Sequence, residues 1–278
     1  MLLFDTHCHL LDEKNKKSAE EIIKDSQEVG VGLFVNIGTN LKDNQKAIAL
    51  AEKHKNVFCA IGIYPHEEPG VSLNELEKGL REQLKSSKKI VGIGETGIDL
   101  VRSPSLDLRY AGGFGKARAS AYQGRGLKEQ LELFEMQIKL AVEFSLPLVI
   151  HNRNGDKEVL VLAEKYSKKG LFGICHCFVQ NWNYGKKMLD YGFYLAFGGI
   201  ITYDSGEYIL ETVKKAPLEK ILIETDSPWL APEPLRSSIN EPKNIRLVAE
   251  KIAEVRGIGY DEVVKITYEN GKRLFKLN

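Results

Sequence analysis

Short runs of β-branched and apolar residues alternate along the chain with longer segments in which apolar positions recur every three to four residues. The short runs predict buried strands, and the longer segments predict amphipathic helices. The predicted strands are Leu2–Leu10, Leu33–Gly38, Val57–Pro65, Ile90–Gly97, Leu146–His151, Phe172–Phe178, Phe193–Gly199 and Ile221–Trp229. The predicted helices are Ser18–Val29, Leu41–His54, Leu73–Leu84, Leu127–Phe144, Lys157–Tyr166, Trp182–Tyr191, Tyr208–Lys215, Ile245–Val255 and Asp261–Phe275. Eight strands therefore alternate with helices, and two helical segments follow the last strand.

This alternation is typical of a closed (β/α)₈ barrel, the TIM barrel. An open doubly wound sheet of 278 residues would usually have fewer parallel strands. We therefore predict an α/β protein with a single barrel domain over residues 1–278 and extra C-terminal helices. The segment Leu100–Gly126 is rich in glycine and basic residues, and it predicts a long loop after strand 4. Such a loop is either a solvated excursion or a lid over the face where barrels build active sites.

Composition and charge narrow the class of protein. With 43% hydrophobic and 28% charged residues among 278, the chain can bury a large core, which excludes a disordered tail or a disulfide mini-protein. The formal net charge of +1 excludes the overall basic field that many DNA-coating proteins carry. Any contact with nucleic acid must therefore be local.

Cysteine usage and the start of the chain bear on the location of the protein. The four cysteines have no CxxC spacing, and Cys175 and Cys177 are too close in one extended segment to bridge each other comfortably. The start of the chain lacks a signal-peptide pattern, and no apolar run approaches the roughly 18 residues of a membrane span. We therefore predict a cytoplasmic protein without a membrane partner, and we infer no obligate protein partner.

Four of the six histidines fall on predicted strands or at their C-terminal ends. They are His7, His9, His151 and His176. His7 and His9 should point to the same face, because side chains alternate along a strand. Glu95 in GIGETG and Asp226 in IETDSPW stand at equivalent ends of strands 4 and 8. The six side chains are therefore expected to converge on one mouth of the barrel.

The predicted ligand set mixes imidazoles and carboxylates, which suits borderline cations such as Zn²⁺, Mn²⁺ or Co²⁺. A carboxylate can also bridge two ions about 3.5–4 Å apart. An isolated His-x-His pair carries little weight, since single buried histidines are more often hydrogen-bonded core residues. Six suitably placed residues change that balance and predict a metal-dependent hydrolase. Its predicted cofactors are two divalent ions, Zn²⁺, Mg²⁺, Mn²⁺ or Co²⁺.

Other polar residues are expected near the same rim. His66 and Arg153 could each contact a phosphate, or could be ordinary polar loop residues. Glu224 lies one layer below Asp226 and is expected to support the site rather than bind an ion. Glu241 could cap a helix or approach the site.

Cysteine and aromatic residues near the predicted strand ends offer further alternatives. Cys175 and Cys177 flank His176 in ICHCF, a pattern that invites a zinc-thiolate interpretation. Strand alternation turns both thiols away from the face that presents His176, so we expect packing residues. Trp229 and Tyr64 could stack on a nucleobase or could simply pack.

The motifs, taken in order, resemble those of the TatD family of metal-dependent hydrolases, within the amidohydrolase-like barrels. They are FDTHCHL, GIGETGID, LPLVIHNR, CHCF, IETDSPWLAP and NEP, and they run the length of the chain at similar spacing. The resemblance implies a (β/α)₈ barrel with two divalent ions. It implies one ion held by His7, His9, Glu95 and Asp226, and another held by Glu95, His151 and His176.

The resemblance also implies a function and roles for individual residues. It implies hydrolysis of the phosphodiester bonds of DNA, commonly by 3′→5′ exonuclease action that favours single strands. Glu95 would be the bridging catalytic carboxylate, Asp226 would accept the proton of the attacking water, and His66 would help to hold the phosphate.

The chain departs from the family pattern at three places near the expected substrate. Tyr64 stands where the family usually has a histidine, and Val179-Gln180 replaces a small residue and a glycine. The segment Leu100–Gly126 is also longer than usual. Metal-dependent hydrolysis is therefore a firmer expectation than the identity of the substrate.

Two other functions stay open at this point. A metal-dependent esterase or amidase, such as an aminoacyl-tRNA deacylase, could use the same ligands. A phosphorothioate linkage would stop a phosphodiesterase and leave an esterase unaffected. A binding module without turnover would instead keep its nucleotide uncleaved in the presence of metal.

Overall fold

Eight parallel strands form the wall of a barrel in the computed structural model, which describes residues 1–101 and 124–277. They are β1 (Leu3–Cys8), β2 (Val31–Ile37), β3 (Val57–Ile61), β4 (Ile90–Asp99), β5 (Leu148–Arg153), β6 (Gly173–Cys175), β7 (Phe193–Phe197) and β8 (Ile221–Ile223). Each strand pairs with its neighbour in chain order. The backbone N–H of Asp226 donates to the carbonyl of His7 at 2.9 Å, which joins the last strand to the first. The predicted (β/α)₈ barrel is confirmed.

Helices cover the outside of the wall. They are α1 (Ala19–Glu28), α2 (Leu41–Lys53), α3 (Leu73–Leu84), α4 (Leu127–Phe144), α5 (Asp156–Ser167), α6 (Trp182–Asp190), α7 (Glu207–Lys215), α8 (Ile245–Arg256) and α9 (Tyr260–Phe275). Ser18 and Ser72 begin α1 and α3 through capping boxes with Glu21 and Glu75, which explains why those starts are predictable. Among the helices of the described residues, none combines the length and apolar character that a membrane span requires.

Five strands, β1, β3, β6, β7 and β8, are shorter than predicted, and β6 and β8 keep only three residues each. The strand predicted over Phe172–Phe178 spans Gly173–Cys175, and the one predicted over Ile221–Trp229 spans Ile221–Ile223. After both β6 and β8 the backbone leaves the extended conformation, with φ values of 45° at Cys177 and 53° at Asp226. These values lie in the left-handed region, outside the extended range that residues with a side chain adopt in a regular strand. The polar residues that follow β6 and β8 are therefore presented on turns.

The loop predicted over Leu100–Gly126 is described at its two ends only. The rest of it, and with it the choice between a solvated excursion and a lid, lies outside the described residues. Near its end, Arg125 is buried, and its guanidinium donates to the carbonyls of Glu67 and Glu68. The C-terminal end of the segment is thereby fixed to the connection between β3 and α3.

The N-terminal end of the barrel is filled by the last helix. Leu274 and Phe275 of α9 pack with inward-facing side chains of the strands, among them Phe4, Val149 and Leu222. The rings of Phe4 and Phe275 have centroids 5.9 Å apart. The interior therefore opens toward the C-terminal ends of the strands, the face on which TIM barrels carry their active sites.

A close approach between α9 and β1 gives a test of this closure. A Cβ atom on Gly271 would lie 2.5 Å from Cδ1 of Phe4. We expect Gly271→Ala to lower the free energy of unfolding by about 1–3 kcal/mol in urea denaturation, because overpacking outweighs the helix propensity of alanine. Glu269→Ala, at an exposed position of the same helix, should change stability by less than about 0.5 kcal/mol. Equal losses in the two variants would contradict the clash.

Candidate metal centre

A cavity of about 500 Å³ opens at the C-terminal ends of the strands. Five of the six predicted metal ligands line it: His9, Glu95, His151, His176 and Asp226. The sixth, His7, is fully buried, and its Nε2 lies 3.2 Å from Nε2 of His9. The structure thus brings all six side chains to one place.

Glycines on either side of Glu95 allow β4 to approach β5 closely. Gly94 and Gly97 have φ values of 144° and 147°, which residues with a side chain rarely adopt. A Cβ atom on Gly94 would also lie 2.5 Å from the carbonyl oxygen of Val149. The GIGETG sequence therefore places Glu95 against the neighbouring strand, where its carboxylate reaches the histidines.

His7, His9, Glu95 and Asp226 are the residues predicted for the first of two ions, and they are called the first group below. Nε2 of His7 lies 3.7 Å from Oε2 of Glu95 and 3.6 Å from Oδ1 of Asp226. Nε2 of His9 lies 3.8 Å and 3.5 Å from the same two oxygens. Four ligands held tetrahedrally around Zn²⁺ at its usual bond lengths would be about 3.3 Å apart. The distances from the two histidines to the two carboxylates are therefore close to those around a single divalent cation. The ligand atoms of His7, His9 and Glu95 lie within 4.8 Å of one another, and those of His7, His176 and Asp226 do so as well.

Glu95 also belongs to the second group, with His151 and His176. Its Oε1 lies 2.6 Å from Nδ1 of His151 and 3.4 Å from Nε2 of His176. The ligand atoms of these three residues lie within 4.8 Å of one another. One carboxylate thus presents Oε2 to the first group and Oε1 to the second, as a ligand bridging two ions does.

Burial and mutual contact shift the pKa values of the ligands in different directions. Burial and the neighbouring His176 hold the pKa of His7 well below its ordinary value. Burial opposes charge on His176 too, but Glu224 and Glu95 raise its pKa well above the ordinary value. The pKa of Glu95 is held well below its usual range, because His176 and His151 outweigh the effect of burial. Protons and a cation would therefore compete for His176.

Two buried carboxylates hold the histidines of the second group. Nδ1 of His176 donates to Oε1 of Glu224 at 3.0 Å, and Glu224 is fully buried. Nε2 of His151 lies 3.6 Å from Oδ2 of Asp99. The Tyr64 hydroxyl donates to the same Asp99 oxygen at 2.7 Å. A carboxylate on the second nitrogen of a metal-binding imidazole fixes the orientation of the ring.

Two carboxylates near the ligands were missed in the sequence. Asp99 lies four residues after Glu95 on β4, so strand alternation could have placed both on one face. Asp5 lies two residues before His7 and accepts hydrogen bonds from the backbone N–H and hydroxyl of Thr225. Burial raises the pKa of Asp5 to about 8. Asp5 ties β1 to the turn that carries Asp226.

The two predicted phosphate contacts lie in different surroundings. Arg153 is exposed and lines the cavity at the end of β5. His66 is 5% exposed, and its Nε2 donates to the carbonyl of Asp99 at 2.9 Å. His66 is not among the described residues that line the cavity. Arg153 is therefore the better placed of the two to meet a substrate.

The structure corrects the expectation that Cys177 points away from the face that presents His176. Cys175 is buried in the core, but Cys177 lines the cavity beside His176 instead of pointing away. Alternation fails there because β6 ends at Cys175 and the backbone at Cys177 has a φ of 45°.

Glu241 forms ion pairs with Lys17 at 3.0 Å and Lys243 at 2.9 Å, and it is not among the described residues that line the cavity.

Comparison with known proteins identifies the family. The sequence profile of the family described as TatD related DNase matches residues 4–276. The chain belongs to the TatD family. This TatD-family protein is a metal-dependent hydrolase, and its clustered histidines and carboxylates are residues that could bind the metal.

Relatives of this TatD-family protein match it from end to end. The chain is 33% identical over 279 residues to YabD of Bacillus subtilis, with 100% of both chains covered. It is 28% identical over 282 residues to YcfH of Escherichia coli K12, covering 100% of this chain and 97% of the relative. Both carry the description of an uncharacterized metal-dependent hydrolase. Among solved structures, the TatD homologue YJJV of E. coli K12 matches with a TM-score of 0.85 at 24% identity, covering 99% of this chain and 98% of that one.

Proposed function

We propose that this TatD-family hydrolase cleaves the phosphodiester bonds of DNA, using two divalent cations held at the base of the cavity. The placement of Glu95 carries the proposal. Its Oε2 faces His7 and His9, while its Oε1 faces His151 and His176. A pair of adjacent ions is the arrangement that many phosphoryl-transfer enzymes use.

In the proposed reaction, the cations, Asp226 and Arg153 each have a separate role. Two bound cations would lower the pKa of the attacking water and neutralise charge on the scissile phosphate. The carboxylate of Asp226 faces the cavity with 15% of its side chain exposed, and it accepts the proton of that water. Arg153 pairs with a phosphate oxygen. As the new phosphorus–oxygen bond forms, the bond to the leaving 3′-oxygen breaks, and that oxygen takes up a proton.

The size of the cavity supports action at a strand end. About 500 Å³ is within the range of small-molecule sites, so the cavity suits a few nucleotides rather than a length of duplex. The net charge of +1 agrees with this, because binding only a few nucleotides requires local positive charge and no broad basic groove. We therefore propose an exonuclease that favours single strands, and we take the 3′→5′ direction from the family resemblance.

A metal-restoration assay tests the proposed function. The protein is stripped with a chelator, and Mg²⁺, Mn²⁺, Zn²⁺ or Co²⁺ is restored singly. Cleavage of a 5′-labelled single strand is then followed on a gel, beside the same strand with phosphorothioate linkages. We expect a metal-dependent ladder that shortens from the 3′ end and is blocked by phosphorothioate. Stoichiometric metal binding without DNA cleavage would overturn the proposal and make an aminoacyl-tRNA ester the next substrate to test.

The proposed role of Glu224 gives a separate prediction. Glu224→Gln should weaken the binding of one cation by roughly 10–100-fold, because the buried carboxylate orients His176. Calorimetric titration with Zn²⁺ measures the two affinities. Glu241→Gln, which removes a carboxylate that pairs with Lys17 and Lys243, is the matched control and should leave both affinities unchanged. Unaltered affinities in Glu224→Gln would contradict the role.

A further inference from the structure

The rim of the cavity is apolar on one side. Leu11, Ile200, Trp229 and Leu230 line this side, with Asp12 as a polar neighbour of Leu11, and the four apolar residues are called the apolar lip below. The side chains of Leu11 and Trp229 are 40% and 37% exposed, which is unusual for large apolar residues clustered at one opening. The lining residues that follow β2 and β3 are polar: Thr39, Tyr64 and Glu67 from the connections, and Asp43 and Lys46 from α2. A substrate in the cavity therefore meets two chemically different walls.

Trp229 occupies a fixed position in the apolar lip. Its backbone N–H donates to the carbonyl of Asp226 at 2.9 Å. Its carbonyl accepts a hydrogen bond of 2.8 Å from the side-chain amide of Asn240, a fully buried residue. That amide also donates to the carbonyl of Thr225 at 2.8 Å. The backbone of Trp229 is thus held on the same turn as Asp226, which places the indole near a substrate bound there.

Lys14 covers one face of the Trp229 ring. Its Nζ lies 3.0 Å from the ring centroid, and the lysine is an exposed residue. The backbone N–H of Lys14 donates to Oδ1 of Asp12 at 2.8 Å, which fixes the turn after β1 that brings the lysine to the indole. A cation over an exposed ring is held more weakly than a nucleobase stacked on the same ring. The ammonium can therefore be displaced by a base and remain close enough to meet its phosphate.

We propose that Trp229 and Lys14 form a nucleoside-binding subsite of the cavity. A nucleobase stacks on the indole against the apolar lip, and the displaced ammonium of Lys14 pairs with the neighbouring phosphate. Stacking uses the ring face that all bases share, so the subsite accepts every base and distinguishes a nucleotide from a bare sugar phosphate. The inference rests on the proposed action on nucleic acid and adds the residues that recognise the base.

The two tryptophans of the chain allow a direct binding test. Trp182→Phe leaves Trp229 as the only indole, so its fluorescence reports on the subsite. The Zn²⁺-loaded protein is titrated with deoxyadenosine 5′-monophosphate and with 2-deoxyribose 5-phosphate, neither of which has a diester bond to cleave. We expect saturable quenching by the nucleotide and none by the sugar phosphate. Equal responses to both, or no response to the nucleotide, would overturn the subsite.

Lysine variants test the second half of the proposal. In the same Trp182→Phe background, Lys14→Ala should weaken nucleotide binding several-fold, while Lys16→Ala, at an exposed position two residues away, should leave it unchanged. Equal weakening in both variants would show that only general charge matters and would overturn the role of Lys14.

A kinetic comparison separates base recognition from the chemical step. Trp229→Leu should raise KM for single-stranded DNA roughly tenfold with kcat nearly unchanged. With a strand whose terminal residues lack bases, wild type and Trp229→Leu should have the same KM. A KM difference that persists without the bases would overturn the stacking role. Nucleotide quenching in a protein that cleaves no DNA would refute the proposed function but retain the subsite, whereas DNA cleavage without quenching would do the reverse.

Discussion

Asp226→Asn is expected to lower the rate of DNA hydrolysis by roughly 10³-fold, while affinity for a single-stranded oligonucleotide changes by less than about threefold. The substitution keeps the shape of the side chain but removes its negative charge. Oδ1 of Asp226 lies 3.6 Å and 3.5 Å from Nε2 of His7 and His9, so the loss of charge weakens the first ligand group. The substitution also removes the proposed proton acceptor. The proposed contacts with the rest of the strand, such as that of Arg153, would remain.

Turnover and binding are measured separately for this variant. Single-turnover rates at saturating metal give the chemical step, and fluorescence anisotropy of a labelled phosphorothioate strand gives the affinity. Asp43→Asn is the matched control, because Asp43 also lines the cavity but pairs with Lys46 at 2.9 Å, outside the two ligand groups. We expect the control to retain most of its activity. Parallel losses of binding and turnover in Asp226→Asn would contradict the assigned role.

Glu95→Gln is expected to have the second large effect, which is a loss of bound metal together with activity. A glutamine can offer one carbonyl oxygen to one group, whereas the carboxylate offers one oxygen to each. We expect the metal content at micromolar free Zn²⁺ to fall from two ions per chain to one or none, and hydrolysis to fall by roughly 10³-fold or more. Elemental analysis of the protein and the gel assay on the same preparation measure both quantities.

Glu67→Gln provides the control for the loss of a carboxylate at this cavity. Glu67 lines the same opening, and its carboxylate accepts a hydrogen bond from the side-chain amide of Asn40. This variant should bind the same number of ions as the wild type. If Glu95→Gln kept two ions and full activity, Glu95 would not be the bridging residue, and the two-ion proposal would lose its main support.

The fold and the convergence of the ligands follow from patterns that the sequence displays directly. Each helix of α1 to α9 begins and ends within one residue of its predicted bounds, because amphipathic periodicity and capping residues act locally. Alternation in β1 places His7 and His9 together for the same reason, and their Nε2 atoms lie 3.2 Å apart. A barrel then brings the ends of separate strands to one face, whatever their distance along the chain.

Features that depend on irregular backbone were not predictable in this way. Alternation gave the wrong orientation for Cys177, because it holds only while the strand continues and β6 ends two residues earlier. The burial of His66 beneath Asp99 depends on a turn after β3 that has no periodic signal. The apolar lip combines residues from three connections, and no local pattern reports that they meet. Contacts of this kind become visible only in three dimensions.

The packing of Leu274 and Phe275 into the N-terminal end of the barrel has a consequence for how successive cuts are made. With that end filled, the proposed exonuclease would release its mononucleotide through the mouth that the described residues leave open at the C-terminal ends of the strands, where the DNA strand would also enter. The shortened strand and the product then compete for the same exit. The proposed exonuclease would therefore dissociate from its strand after each cut, and its digests would contain intermediates of every length.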